Sequence, residues 1–187
     1  MSLAPARILG CVLAGGQSSR FGSDKALAML NGQSLLTRAV DTLSAWCDQV
    51  VVVGRAEAPA PTLPDWPRAH MGPLGGIAAA LHLAADEGYG AVLTCGVDSA
   101  GLPADLPEQL GPAPAYVADQ PVIALWPVGA SSALDAILAG TGKHSLRALA
   151  QQTGARAVQL ARNPANINTP ADLAAFAAND AETRHGL

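Results

Sequence analysis

Four consecutive valines, Val50 to Val53, lie inside the run QVVVVG (Gln49 to Gly54). Side chains alternate faces along a strand, so a strand built from this run is β-branched and apolar on both faces. Such a strand belongs in the middle of a sheet covered on both sides, the setting of parallel strands in α/β proteins. The chain before it completes the unit. RILGCVL (Arg7 to Leu13) reads as a second buried strand and Asn31-Gly32 as a turn. Leu36, Ala39, Val40, Leu43 and Cys47 then fall at i, i+3, i+4, i+7 and i+11, the apolar stripe of an amphipathic helix. Strand, helix and strand in this order make a βαβ unit, whose crossover is expected to be right-handed.

The pattern continues. A Pro-rich loop, EAPAPTLPDWPRAHMGP (Glu57 to Pro73), is too long for a tight connection, and long loops in compact domains are often functional. Leu74, Ile77, Ala78 and Leu81 predict a second amphipathic helix, and GAVLTCGVD (Gly90 to Asp98) a third buried strand ending at Asp98. LPADLPEQL (Leu102 to Leu110) reads as a short helix. Prolines flank VIALW (Val122 to Trp126), which suits an antiparallel or edge pair over 115–127. Helices over 130–139 and 145–153, a strand near 156–161 and a last helix after Thr169-Pro170 follow. In that helix Thr169 is the expected N-cap, Pro170 the first helical residue, and Asp172 complements the positive end. With no repeat and no clean boundary, residues 1–187 are expected to form one three-layer αβα domain around a mostly parallel sheet.

The chain has 187 residues, half of them hydrophobic, and a formal net charge of −4. That mild acidity gives no support to a nucleic-acid or membrane-surface role. The least charged long window, Ala69 to Ala85, is interrupted by glycines, a proline and two histidines, so no membrane span is expected. The apolar stretch near the start runs into Gly-Gly-Gln rather than a cleavage-type boundary, and a cytoplasmic location is expected. Cys11, Cys47 and Cys95 are odd in number and lack a C-x-x-C pair, which argues against a disulfide frame or a zinc site. His70, His82, His144 and His185 have no partners at metal-ligand spacing.

Between the first strand and the next apolar run lies LAGGQSSRFGSDK (Leu13 to Lys25). A glycine-rich turn after a buried strand lets backbone N–H groups converge on an anion, and Arg20 and Lys25 add positive charge. Neither G-x-x-x-x-G-K-[ST] nor G-x-G-x-x-G is present. On the residues alone, a phosphate cradle competes with a surface loop carrying two solvated cations.

LAGGQSSRFGSDKAL resembles the L-A-[GA]-G-x-x-x-R-[MF]-G-x-x-K signature of nucleotidyltransferases with a Rossmann-like GT-A fold, and its double glycine resembles the molybdenum cofactor guanylyltransferase branch of the MobA-like NTP transferases. Cytidylyl relatives usually read LAAG. GPLGGI (Gly72 to Ile77), CGVDSAGLPADL, QPVIALW and NINTPADL (Asn166 to Leu173) resemble further family segments in order, so the likeness covers about residues 8–178 and leaves a short polar tail over 179–187. It implies transfer of GMP from GTP to the terminal phosphate of molybdopterin, with release of pyrophosphate. It also implies nucleotide contacts from Leu13, Ala14, Gly15, Gly16, Lys25, Asp65 and Asp98, and Mg²⁺ held by Asp98. Lys25 and Arg20 would offset charge on the leaving pyrophosphate. Asn166 and Asn168, on one face of an extended segment, could complete the metal or phosphate shell or satisfy backbone at the helix start. Asp65 could equally be a turn aspartate, and Asp98 a cap of the next turn. A molybdenum-insertion protein and recipient apo-enzymes are the implied partners.

Some positions depart from the family pattern. Gly54 and Arg55 stand where an asparagine often touches the nucleotide, Ser99 and Ala100 follow Asp98 in place of a proline, and Gln120 replaces a histidine. Lys143, His144, Arg147 and Arg156 read as a solvated helix face before they read as an acceptor-phosphate site. Two rival functions stay open: a CTP-dependent relative acting on the same or another phosphorylated acceptor, and a non-catalytic nucleotide or cofactor carrier.

Overall fold

The structure, a computed structural model, describes residues 7–16 and 21–185. Strand β1 (Ile8–Leu13) leads through a single 3-10 turn (Lys25–Leu27) into a small hairpin, β2 (Met29–Leu30) and β3 (Gln33–Ser34). Asn31 and Gly32, both at positive φ, form its two-residue turn, as a tight hairpin requires. Helix α1 (Leu35–Ser44) is capped by Ser34, whose hydroxyl accepts the Thr37 N–H. Then come β4 (Gln49–Val53), β5 (Thr62–Leu63), α2 (Gly72–Asp86), β6 (Ala91–Gly96), β7 (Ser99–Ala100), α3 (Leu106–Leu110), β8 (Ala115–Val117) and β9 (Gln120–Pro127). Helices α4 (Ala130–Ala139) and α5 (Leu146–Thr153), strands β10 (Arg156–Val158) and β11 (Ala165–Asn166), and helix α6 (Pro170–His185) complete it.

Seven strands form one sheet in the order β10-β8-β9-β6-β1-β4-β5. β1 is parallel to both β4 and β6, while β9 runs antiparallel to β6 and β8. The valine run behaves as its pattern demands. Val50 and Val52 pack into a core with α1 and α3, Val51 and Val53 into a second core with α2, α4 and α5. The fold is therefore an α/β sandwich of three layers with a mostly parallel centre. Cys11 and Cys95 are fully buried, and burial pushes the Cys11 thiol up to about 12 and raises that of Cys95 as well. No helix among the described residues is long and apolar enough to cross a membrane.

Several boundaries move. β6 ends at Gly96, two residues short of Asp98, because Val97 donates its N–H to Leu13 O at 3.0 Å and the chain turns there. The short helix begins at Leu106 rather than Leu102, after the Leu106 N–H closes a turn on Pro103 O. β10 stops at Val158. β9 is antiparallel as expected but interior, with Pro121 beside a bulge and Pro127 at the strand's last rung, where a missing N–H costs little.

Candidate active site

The site is built where β1, β4 and β6 end. In open α/β sheets ligands lie beyond the carboxyl ends of the strands, and here those ends are tied to one another. Ala14 N–H bonds Val53 O, and Val97 N–H bonds Leu13 O, both at 3.0 Å. Gly15 and Gly54 touch backbone to backbone: a Cβ at Gly54, which sits at φ +82°, would stand 2.5 Å from Gly15 Cα and N. Any side chain at Gly54 would force the Gly15 backbone away.

Lys25 Nζ donates to Asp98 Oδ2 at 2.8 Å. The two side chains are 16% and 26% exposed, so the pair faces the cleft while partly shielded from bulk water. Lys25 reaches it from the 3-10 turn, which Asp24 caps by accepting the Ala26 N–H. Asp98 is held by its backbone, whose carbonyl accepts the Ile167 N–H at 2.9 Å. Gly96 leaves the space its carboxylate needs, since a Cβ there would collide with Asp98 Oδ1. The hollow around the pair has a volume of about 350 Å³ and also receives Gln120, Asp119 and Asn166.

Two further hollows run on from it. One of about 380 Å³ shares Leu13, Gly15 and Pro73 with the first and brings in Val53, Asp65 and His70. Its apolar walls and few polar groups suit a flat ring with hydrogen-bonding edges. The other, about 540 Å³, is reached across Gly16 and Gly54 and is walled by Asp24 and Arg55. Neighbouring hollows share lining residues, so the three form one continuous cleft.

Most of the expected site residues meet here. Leu13, Ala14, Gly15, Gly16, Lys25, Asp65 and Asp98 all line the cleft. Asp65 lines the cleft, and its Oδ2 accepts the Met71 N–H at 3.1 Å just before α2, as a turn aspartate does. Asn166 and Asn168 part company. Asn166 lines the hollow, delivered there because β11 pairs with β7 through Ser99. Asn168 sits at the start of α6, its N–H donated to Asp172 Oδ2. Arg20 lies outside the described residues. Among the cationic set, the Arg156 guanidinium donates to the Leu110 and Gly111 carbonyls and caps α3, while Lys143, His144 and Arg147 are exposed, in keeping with a solvated face.

Sequence reasoning missed Asp24, Arg55, His70, Asp119 and the anchoring of Gln120. His70 adopts φ +65° at the cleft wall, and a strained backbone in a cleft is a feature of binding sites. Asp119 accepts from Asn163 Nδ2 at 2.7 Å, and Gln120 Nε2 donates to Pro164 O, which fastens β9 to the segment before β11. None carries a local signal; each gains meaning only from what the fold places opposite it.

For a divalent ion, no group of three His, Cys, Asp or Glu side chains gathers among the described residues. The donor set fits Mg²⁺ nonetheless. This ion takes one or two carboxylates and completes its shell with phosphate oxygens and water, and Asp98 presents one carboxylate to a cleft with room for phosphate.

Comparison with known proteins gives a consistent result. The sequence profile described as MobA-like NTP transferase domain matches residues 10–165. A molybdenum cofactor guanylyltransferase from Acidiphilium cryptum is 39% identical over 177 residues, covering 87% of this chain and 90% of that one. One of the same description from Rhodobacter capsulatus is 37% identical, covering 90% and 94%. Among solved structures, molybdopterin-guanine dinucleotide biosynthesis protein A from Archaeoglobus fulgidus superposes with a TM-score of 0.74 at 21% identity, covering 93% of this chain and 99% of that one, a likeness of fold.

Proposed function

The chain belongs to the MobA-like NTP transferase family, and from that premise we propose that it is a molybdenum cofactor guanylyltransferase. It transfers GMP from GTP to the terminal phosphate of molybdopterin, forming the guanine dinucleotide cofactor and releasing pyrophosphate. The observation that carries the reading is the Lys25–Asp98 pair, 2.8 Å apart, inside a hollow that adjoins a second one through Leu13, Gly15 and Pro73.

The reaction needs no protein nucleophile. A phosphate oxygen of the acceptor attacks the α-phosphorus in line, the bond to the bridging oxygen breaks, and pyrophosphate departs with the electron pair. Positioning and charge neutralisation carry such a transfer. Leu13, Val53 and Pro73 flank the base, and the Asp65 carboxylate faces its polar edge. The backbone of Ala14, Gly15 and Gly16 approaches the phosphates, and Lys25 neutralises the leaving pyrophosphate together with Arg20. Asp98 would hold Mg²⁺, which would supply positive charge beside the α-phosphate. Asn166 orients the acceptor end of the cleft. The product is then handed to a molybdenum-insertion protein or a recipient apo-enzyme in the cytoplasm.

Calorimetry with GTP, CTP, ATP and UTP in the presence of Mg²⁺ tests the assignment, followed by pyrophosphate release with molybdopterin. GTP is expected to bind selectively, with binding weakened at least tenfold in Lys25→Ala and turnover lost in Asp98→Ala. Selective CTP binding would move the chain to cytidylyl chemistry. Acceptor binding without any nucleotide binding would leave a carrier.

A further inference from the structure

The loop that begins at Gly15 has two feet. The first is the Ala14 N–H on Val53 O. The second lies at Asp24, the residue before Lys25, whose carboxylate is gripped by Arg55 through two bonds: Nη2 to Oδ2 at 2.8 Å and Nη1 to Oδ1 at 3.0 Å. Val53 and Arg55 are two residues apart, so the end of β4 and the residues just after it hold both Ala14 and Asp24. Arg55 is itself braced, its Nε donating to Glu57 O at 3.4 Å, and its side chain is only 19% exposed. Fork-to-fork pairing of this kind fixes direction as well as distance.

We propose that Arg55 is a positioning residue for the transfer: by clamping Asp24 it fixes the 3-10 turn from which Lys25 reaches the cleft. Asp24 joins the two functions physically. One carboxylate receives the Arg55 fork and the Ala26 N–H that starts the turn, so releasing Arg55 loosens the turn at its first bond. A small misplacement of a charged group costs far more at the transition state than in ground-state binding.

The inference rests on the assigned reaction, and its test separates the two. Hydrogen exchange is followed at the amides of Ala26, Leu27 and Ala28 in the full chain and in Arg55→Gln and Arg55→Lys, alongside GTP-dependent pyrophosphate release. Arg55→Gln is expected to speed exchange at these amides about fivefold, the size of a well-formed partly exposed pair. It should lower kcat by a similar or larger factor with KM for GTP changed less than twofold, and Arg55→Lys, keeping charge but losing the fork, should fall between. Exchange unchanged in Arg55→Gln overturns the clamp. Faster exchange with kcat intact overturns the positioning role. A wild-type protein that releases no pyrophosphate overturns the assigned reaction and Arg55's part in it, while exchange still reports on the clamp.

Discussion

Lys25 and Asp98 face each other before any nucleotide arrives, and each is the other's competitor for what the reaction needs. A cation approaching Asp98 alone must displace an ammonium 2.8 Å away. In the proposed reaction a nucleotide arriving with its metal would offer both partners something better, phosphate oxygens for Lys25 and a divalent charge for Asp98. The pair would therefore disfavour binding of metal without substrate. Lys25→Met is expected to tighten binding of Mn²⁺ alone about tenfold, a change of about 1.4 kcal/mol, while pyrophosphate release falls at least a hundredfold, the usual cost of losing one charge-stabilising donor. Titration of Mn²⁺ by paramagnetic resonance reads the first and a phosphate-release assay the second. Unchanged metal affinity would mean that Asp98 is not the ligand.

Among the elements, the entry to α6 matters most for the site. Asp172 Oδ2 accepts the N–H groups of Asn168 and Thr169, and the Asp172 N–H returns to Thr169 Oγ1 at 3.1 Å. This reciprocal cap fixes the segment whose preceding residue, Ile167, holds the Asp98 carbonyl. The sequence pattern Thr-Pro-Ala-Asp announces the cap, because N-cap chemistry is local. It does not announce that the cap buttresses Asp98 from 70 residues away in the chain, since only the β7–β11 pairing brings the two together. Asp172→Ala is expected to cost about 1 kcal/mol, a fall in Tm of about 2–4 °C for a domain of this size. A melting curve checks it. An unchanged Tm would show that the carboxylate adds nothing to the helix start.

For the whole molecule, the cleft is distributed over both halves of the chain. The loop after β1, the end of β4, the start of α2, the turn after β6 and the start of β9 all contribute, so a ligand that fills it bridges elements from both halves of the chain. Binding to the folded state alone stabilises by mass action, about 2.7 kcal/mol at a hundredfold excess over Kd. GTP with Mg²⁺ at that excess is expected to raise Tm by about 5–10 °C, and CTP at the same concentration by less than 2 °C. Equal shifts with both nucleotides would refute base selectivity. No shift with either would refute the nucleotide site.

What the sequence determined by itself is what short-range chemistry carries. Valines on both faces of β4 demand a covered central strand, apolar spacing draws α1 and α2, and Thr169 with Asp172 starts α6. The glycine-rich motif, with its lysine and the strand-end aspartate, marked the cleft and most of its lining. The tertiary structure decided the rest, because the remaining contacts join residues with no relation along the chain. Arg55 became a partner of Asp24, Asp119 a wall of the hollow and Gly54 a seat for Gly15 only when β1 and β4 came together and β9 turned back beside β6. Asn166 and Asn168 make the difference plain. Alternation placed them alike, but β11 pairs with β7 only as far as Asn166, while the Asn168 N–H is taken into the Asp172 cap of α6.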